Sequence, residues 1–264
     1  MDNSRILSRE IEWSNYARSA YFATVVPGVE IRVSNEVILV SDPLVPLVDG
    51  NHAAMLNTTH EHTDDLIDRI IQHYQERCLT PTVVLSPSCS PDDLGQRLLE
   101  HGFKLTGEPE YWLALEDGSV VEGLKFPADI EVHEIEQAEL TDFCQIMAAA
   151  FEMPDEIVPI LYHNFSFVNE LPGIHNYLAC INKKPVGCGS LFSYAGFSSF
   201  GSTGVLPEAR FYGIGPALFA HGYQDWKKDR TKMFLIQTVV PGMDRKLSQV
   251  GCRRLFTRSY YALE

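Results

Sequence analysis

The chain has 264 residues, 45% of them hydrophobic and 21% charged, and carries a formal net charge of −14. That balance describes an ordinary globular protein with material for one large or two smaller cores. The acidic excess argues against nucleic acid as a partner, because neutralising phosphates takes a basic face. No apolar run approaches the ~18 residues of a membrane-spanning helix.

The start MDNSRILSREIEW has no signal-peptide pattern, so the expected location is cytoplasmic. Residues 4–21 are predicted as a helix in which Ile6, Ile11, Trp13 and Tyr16 form an apolar stripe. Strands follow at 29–33 and 37–40. His60, Glu61 and His62 invite a metal reading, but a third ligand at a recognised spacing is missing, and the segment reads as a solvated loop. Thr63, Asp64 and Asp65 stand where a cap belongs, before a helix whose Leu66, Ile67, Ile70, Ile71 and Tyr74 mark one buried face. After a strand at 81–85, Ser90, Pro91, Asp92 and Asp93 open another helix, which carries Leu94, Leu98 and Leu99 and stops at His101 and Gly102. A strand at 111–115 closes this half. Periodicity breaks in residues 116–128, at Asp117, Gly118 and Ser119 and again at Phe126, Pro127 and Ala128, and the domain boundary is expected there.

The second half opens with a strand at 130–132 and a helix at 140–151 capped near Thr141 and Asp142. Residues 154–167 read as a second helix and loop, followed by a mix of aromatic and polar residues from Tyr162 to Glu170 that suits either an amine pocket or a half-buried helix. Glu152, Asp155, Glu156 and Glu170 are candidate bases by location alone. The six cysteines, at 78, 89, 144, 180, 188 and 252, form no C-x-x-C pair and read as reduced thiols; no base is placed near Cys188 to make it a nucleophile. His221, on the helix after the loop described next, reads as a packing or surface residue.

The most informative stretch is VLPEARFYGIGPAL, residues 205–218. A strand at 199–205 ends at Pro207, which cannot donate to a sheet ladder. Gly213 and Gly215 flank Ile214 and let backbone N–H groups approach an anion, and Pro216 stands where a first helical residue belongs. The segment delivers free N–H groups and the positive end of a helix dipole to one point, with the Arg210 guanidinium beside it. A pyrophosphate suits that point. A dinucleotide fingerprint would need a third glycine where Leu218 stands, and a Walker-type loop would need Gly-Lys-Ser/Thr. A glycine-rich turn that binds nothing remains the bland alternative.

Arg210, Gly213 and Gly215 in this spacing resemble the [QR]-x-x-G-x-[GA] signature of the GNAT N-acetyltransferase superfamily, which grips the pyrophosphate of acetyl-CoA. Lys184 to Gly187 resembles that family's hairpin before the cofactor strand, Val205 to Arg210 its approach to the loop, residues 233–238 the following strand, and Leu247 to Cys252 the helix end before the last hairpin. These matches span about residues 130–264. The order of strand, helix ending in His101, Gly102 and Phe103, and strand resembles the first half of a bacterial tandem subgroup, without the glycine loop. The resemblance implies an α/β (α+β) fold with a mixed, mostly antiparallel central sheet flanked by helices. It also implies two tandem halves: residues 1–120, degenerate and without a CoA loop, and residues 128–264, which bind acetyl-CoA. Val205, Leu206, Arg210, Phe211, Tyr212, Gly213, Ile214, Gly215, Pro216 and Ala217 are the implied cofactor residues. The implied reaction is transfer of an acetyl or other short acyl group from acyl-CoA, as co-substrate and without a metal, to the amine of a small molecule or peptide. The protein is expected to act as a monomer or homodimer.

The departures from the family pattern are specific. The tyrosine that commonly protonates the leaving thiolate is Leu247 here, residues 199–205 hold no carboxylate to serve as base, and Phe211 and Tyr212 replace the small or basic residues common in the loop. The catalytic residues therefore stay unassigned. A CoA-binding sensor or interaction protein without turnover is the rival reading.

Overall fold

The computed structural model describes residues 3–45, 47–229 and 231–263, and for Asn3 and Asp49 the backbone alone. The chain divides into two compact units: Met1–Trp112 with Val239–Met243 and Arg254–Glu264, and Leu113–Thr238 with Asp244–Arg253. In chain order the first stretch gives α1 (Asn3–Ala23), β1 (Glu30–Val33), β2 (Ile38–Ser41), β3 (His52–Ala54), α2 (Thr63–Gln75), β4 (Thr82–Leu85), α3 (Leu94–Glu100) and β5 (Lys104–Leu115). Then come α4 (Ser119–Glu122), β6 (Ile130–Glu134), α5 (Leu140–Ala150), α6 (Val158–Val168), β7 (Ile174–Ile181), β8 (Lys184–Tyr194) and β9 (Phe197–Val205). The last elements are α7 (Ile214–Asp229), β10 (Met233–Thr238), α8 (Met243–Gln249) and β11 (Cys252–Ala262). Among the described residues no helix is long and apolar enough to cross a membrane.

In the first unit the strands run in the order β1-β2-β3-β4-β11-β5, with β1–β2, β2–β3 and β4–β11 antiparallel and β3–β4 parallel at Ala53 and Val83. The α2 stripe packs as expected: Leu66, Ile67, Ile70 and Tyr74 are buried against Ala53, Leu56, Val83, Leu94, Leu98 and Phe103. Thr63 does not cap α2. Its hydroxyl donates to the Thr59 carbonyl at 2.8 Å, because a 3₁₀ turn at His60–His62 starts the helical path one turn earlier. Helix α3 ends at Gly102, whose φ of +86° only glycine adopts without strain, and Phe103 N–H closes back on the Leu98 carbonyl at 3.0 Å. The stretch 111–115 is the buried end of a longer strand; its first half, from Lys104, is largely exposed and lacks the apolar signal.

Helix α1 departs from its predicted stripe. Ile11 and Tyr16 are buried, but Ile6 and Trp13 are exposed, and Glu12 takes a core position at 2% exposure. The reason is Arg258 of β11, equally buried, which donates to Glu12 through Nε at 3.1 Å and through Nη2, and to Glu110 Oε1 through Nη1 at 3.1 Å. Trp112 Nε1 and the Tyr260 hydroxyl also donate to Glu110. The Arg258 guanidinium lies 4.7 Å from the Trp112 ring centre and 5.7 Å from that of Tyr16. Burial works against its charge, but Glu12, Tyr16 and Glu110 outweigh that and hold its pKa well above the ordinary value. Beside this group, His52 Nδ1 lies 2.7 Å from the Val48 carbonyl, so Nδ1 carries the proton and Nε2 accepts from Tyr16 Oη at 2.9 Å. Burial pushes the His52 pKa down to about 4.

In the second unit the strand order is β10-β9-β8-β7-β6, with β6 to β9 antiparallel and β9–β10 parallel. The hairpin β7–β8 turns on Asn182 and Lys183, both at positive φ, as its short connection requires. Helix α5 is capped one turn before Thr141 and Asp142: Glu136 and Glu139 form a reciprocal capping box at a 3₁₀ turn, Gln137–Glu139, that runs into the helix. Leu140, Phe143 and Met147 of α5 pack with Leu161 of α6 over Leu178 and Cys188. Phe219 of α7 closes against Phe200 and Phe234, joined by Tyr223 and Trp226.

Candidate functional site in the second unit

The pairing of β9 with β10 runs from Phe197↔Met233 to Phe200↔Ile236 and stops there. Strand β9 nevertheless continues to Val205 and β10 to Thr238. The two parallel strands part, and their facing backbone groups are left for something other than each other. Irregularity on the other side of β9 accompanies the parting: Ser202 has φ +49°, and the register with β8 shifts between Cys188 and Ser190. Near the strand's end Leu206 N–H donates to the Val186 carbonyl at 2.9 Å. Successive strand N–H groups point to alternate edges, so the Val205 N–H is directed into the opening.

Pro207 ends the strand, and a 3₁₀ turn at Pro207–Ala209 leads to Arg210. Gly213 has φ +95°, a conformation that a side chain there would strain. The helix begins at Ile214 rather than at Pro216, because Ala217 N–H already reaches the Gly213 carbonyl at 3.0 Å. Pro216 is third in the first turn, where its missing N–H costs no bond. The N–H groups of Ile214 and Gly215 have no acceptor within the helix and stand at the positive end of its dipole. A Cβ built on Gly215 meets nothing within 4 Å, so neither packing nor φ demands glycine there, and the space against the helix start is open. That open space lies at the positive end of the helix dipole, where an anion is favoured.

Arg210 is exposed and folds back, with Nε 3.4 Å from the Val205 carbonyl and Nη2 3.3 Å from the Ala150 carbonyl. Its remaining donors are available to an anion. Tyr212 is anchored through its hydroxyl, which donates to Asp129 Oδ2 at 3.0 Å. Phe211, at φ +67°, is fully exposed. Asp129 and the Ala150 carbonyl were invisible as site neighbours in the sequence, since no spacing rule ties residues 83 and 60 positions away to this loop.

Other candidates fall outside this arrangement. Leu247 lies half-buried on α8, and its side chain has no proton to give. Glu152, Asp155, Glu156 and Glu170 are all exposed. Cys188 is fully buried, its thiol pushed up to about 12 by burial, and its Sγ faces the Ser202 carbonyl at 3.6 Å; it is no nucleophile. In the stretch after Tyr162, Asn169, Asn176 and Ser190 form a chain of hydrogen bonds at 2.9 and 2.6 Å, while Tyr162 and Phe167 remain exposed. In the first unit His60 to His62 is an exposed turn with His60 paired to Asp93 at 3.2 Å. Among the described residues no three His, Cys, Asp or Glu side chains cluster as a metal site. His221 packs edge-on to Tyr177 at 5.0 Å, as a packing residue does.

No protein-family model matches the chain, and no curated protein matches it in sequence. Solved structures match its fold. A GCN5-related N-acetyltransferase from Kribbella flavida superposes with a TM-score of 0.71 at 16% identity, covering 94% of this chain and 94% of the other. A GCN5-related N-acetyltransferase from Sphaerobacter thermophilus does so with a TM-score of 0.64 at 15% identity, over 88% of this chain and 81% of the other. A tandem GNAT protein from the clavulanic acid biosynthesis pathway matches with a TM-score of 0.61 at 11% identity, over 89% and 83%. The chain has the fold of the GNAT N-acetyltransferases, in the tandem form that the last of these represents.

Proposed function

We propose that the protein transfers an acetyl or other short acyl group from acyl-CoA to the amine of a small molecule or peptide. The observation that carries the reading is the parting of β9 from β10 directly before a glycine turn that opens helix α7 with free space against Gly215. The names of the structural neighbours support acyl transfer in general. Bound acyl-CoA supplies an activated thioester. Arg210 and the N–H groups of Gly213, Ile214 and Gly215 hold the diphosphate, and the free edge of β9 up to Val205 receives the pantetheine amides as a strand would. The Val205 N–H polarises the acyl carbonyl, an oxyanion-hole contribution that needs no side chain. With leucine at 247, the attacking amine gives its proton to water and the departing sulfur takes one from water, which a thiol of ordinary pKa permits. Proximity in the opening supplies much of the rate.

The absence of a carboxylate on β9 and of a hydroxyl at 247 favours a second reading, in which the protein binds CoA without turnover and acts as a sensor or partner-binding module. Calorimetric titration of acetyl-CoA into the wild type and into Arg210→Ala/Gly215→Asp tests the site. Residue 215 has room for a side chain, so the variant is expected to fold and to lose binding by at least tenfold. Equal affinity in the folded variant refutes the assignment. A free-thiol assay with polyamines, amino acids and aminoglycosides separates the readings: thiol release establishes transfer, and binding without release across the panel establishes the sensor.

A further inference from the structure

Phe211 is the one large side chain in the loop that gives the fold nothing. Its exposure is 100%, so it buries no apolar surface, and its φ of +67° places a non-glycine residue in the left-handed region. A left-handed aromatic is strained, and here none of that strain is offset by packing. Its neighbours are fixed. Arg210 is bonded back to two carbonyls, Tyr212 is tethered to Asp129, and Phe151, 45% exposed, follows the Ala150 carbonyl that Arg210 touches. The loop presents an aromatic ring to solvent one residue after the guanidinium and two before Gly213.

The charges nearby narrow what that ring can meet. Between residues 205 and 217 the only cation is Arg210 and the only carboxylate is Glu208, and Tyr212 brings Asp129 to the same loop. The loop's one cation is already bonded back to two carbonyls and Tyr212 brings a carboxylate to the same loop, which leaves little positive charge for a further phosphate beyond the diphosphate. A flat, weakly polar ring attached to that diphosphate is a good match.

We infer that Phe211 is the stacking platform for the adenine of the acyl donor, so that this site holds the nucleoside end by ring contact rather than by charge on the 3′-phosphate. The inference rests on the acyl-CoA reading above. Base–aromatic stacking is sequence-tolerant and survives in water, since every base offers a π-face and the contact needs no burial of charge. It makes Phe211 a specificity residue that distinguishes full acyl-CoA from a bare acyl-phosphopantetheine arm.

The test measures the affinities of acetyl-CoA, 3′-dephospho-acetyl-CoA and acetyl-4′-phosphopantetheine for the wild type, Phe211→Ala and Phe211→Trp by calorimetry. The expected result is a roughly tenfold loss, about 1.4 kcal/mol, for both adenine-bearing ligands in Phe211→Ala. Phosphopantetheine affinity should stay within twofold, and Phe211→Trp should retain wild-type affinity for all three. Acetyl-CoA binding that is unchanged in Phe211→Ala overturns the inference and leaves the CoA site standing. A loss for acetyl-CoA alone, or an equal loss for phosphopantetheine, also overturns it, because the residue would then act through the 3′-phosphate or through loop shape. So does a wild-type dimer that Phe211→Ala dissociates, which would assign the ring to a second copy of the chain. If the wild type binds no acetyl-CoA, the reading of the site itself falls and the inference with it.

Discussion

Replacing Arg258 by methionine is expected to destabilise the first unit as strongly as truncating one of its large core side chains. The arginine is 5% exposed, and its two carboxylate partners, Glu12 and Glu110, are 2% and 8% exposed. Methionine fills much of the same volume but leaves both carboxylates in the core without the guanidinium that solvates them. Removing one partner from a buried ion pair costs about 3–5 kcal/mol. Trp112 and Tyr260 still donate to Glu110, so the larger share falls on Glu12, which accepts from Arg258 through both of its oxygens. At about 2–4 °C per kcal/mol for a chain of this size, the melting temperature should fall by about 6–20 °C. Calorimetry and urea titration read the change. The compensating experiment adds Glu12→Leu and Glu110→Gln, which remove the charge while leaving an acceptor for Trp112 and Tyr260; most of the loss should return, as buried ion clusters replaced by well-packed neutral residues are often neutral in stability. A single variant within 1 kcal/mol of wild type, or a triple variant no better than the single, refutes the reasoning.

His52 makes stability depend on pH. Its folded pKa of about 4 lies below the ordinary 6.5, so its contribution is complete above pH 6.5 and is lost as pH falls toward 4. Between pH 7 and 5 the loss amounts to about 2 kcal/mol, and it should be absent in His52→Gln when unfolding midpoints are compared across that range. Gly204→Val should weaken both stability and acetyl-CoA binding. Its Cβ would stand 2.7 Å from that of Ala150 and 3.3 Å from Cys188 Sγ, forcing α5 off the strand that carries the site, at about 1–3 kcal/mol. A variant with unchanged urea midpoint and affinity would contradict that packing. Iodoacetamide on the native protein at neutral pH should label Cys78 alone, since Cys89, Cys144, Cys180, Cys188 and Cys252 are buried; mass spectrometry showing rapid labelling of Cys188 would reopen its case as a nucleophile.

Local chemistry made much of the second unit legible. Pro207 ends β9 because it has no N–H for the ladder, Gly213 takes the left-handed turn because it has no Cβ to clash, and in the first unit the spacing of Leu66, Ile67, Ile70 and Tyr74 fixes the face of α2. What escaped depended on partners far along the chain. Nothing within α1 marks Glu12 as a core residue, since the guanidinium that makes this tolerable is 246 positions away. The exposed half of β5 looks like a loop because a strand edge facing water need not be apolar. The parting of β9 from β10 leaves no mark in composition, as it is set by where pairing stops rather than by which residues are present. The free donors at Gly215 could be anticipated from the motif, whereas the posture of Arg210 against Ala150 could not.

Strand β11 lies between β4 and β5, yet it is made after β10, long after either neighbour. On a ribosome adding about 5–20 residues per second, the segment through Trp112 waits on the order of ten seconds before Arg254–Glu264 emerges to fill the gap in its sheet. Through that interval β4 and β5 have open edges, and Glu12 and Glu110 lack their counter-charge, so the first unit stays unfinished while the strands β6 to β10 of the second can already pair. Synthesis and assembly thus run in different orders: β4 and β5 are made before β10 yet wait for β11, and a chaperone that shields nascent chains would find its work on their edges.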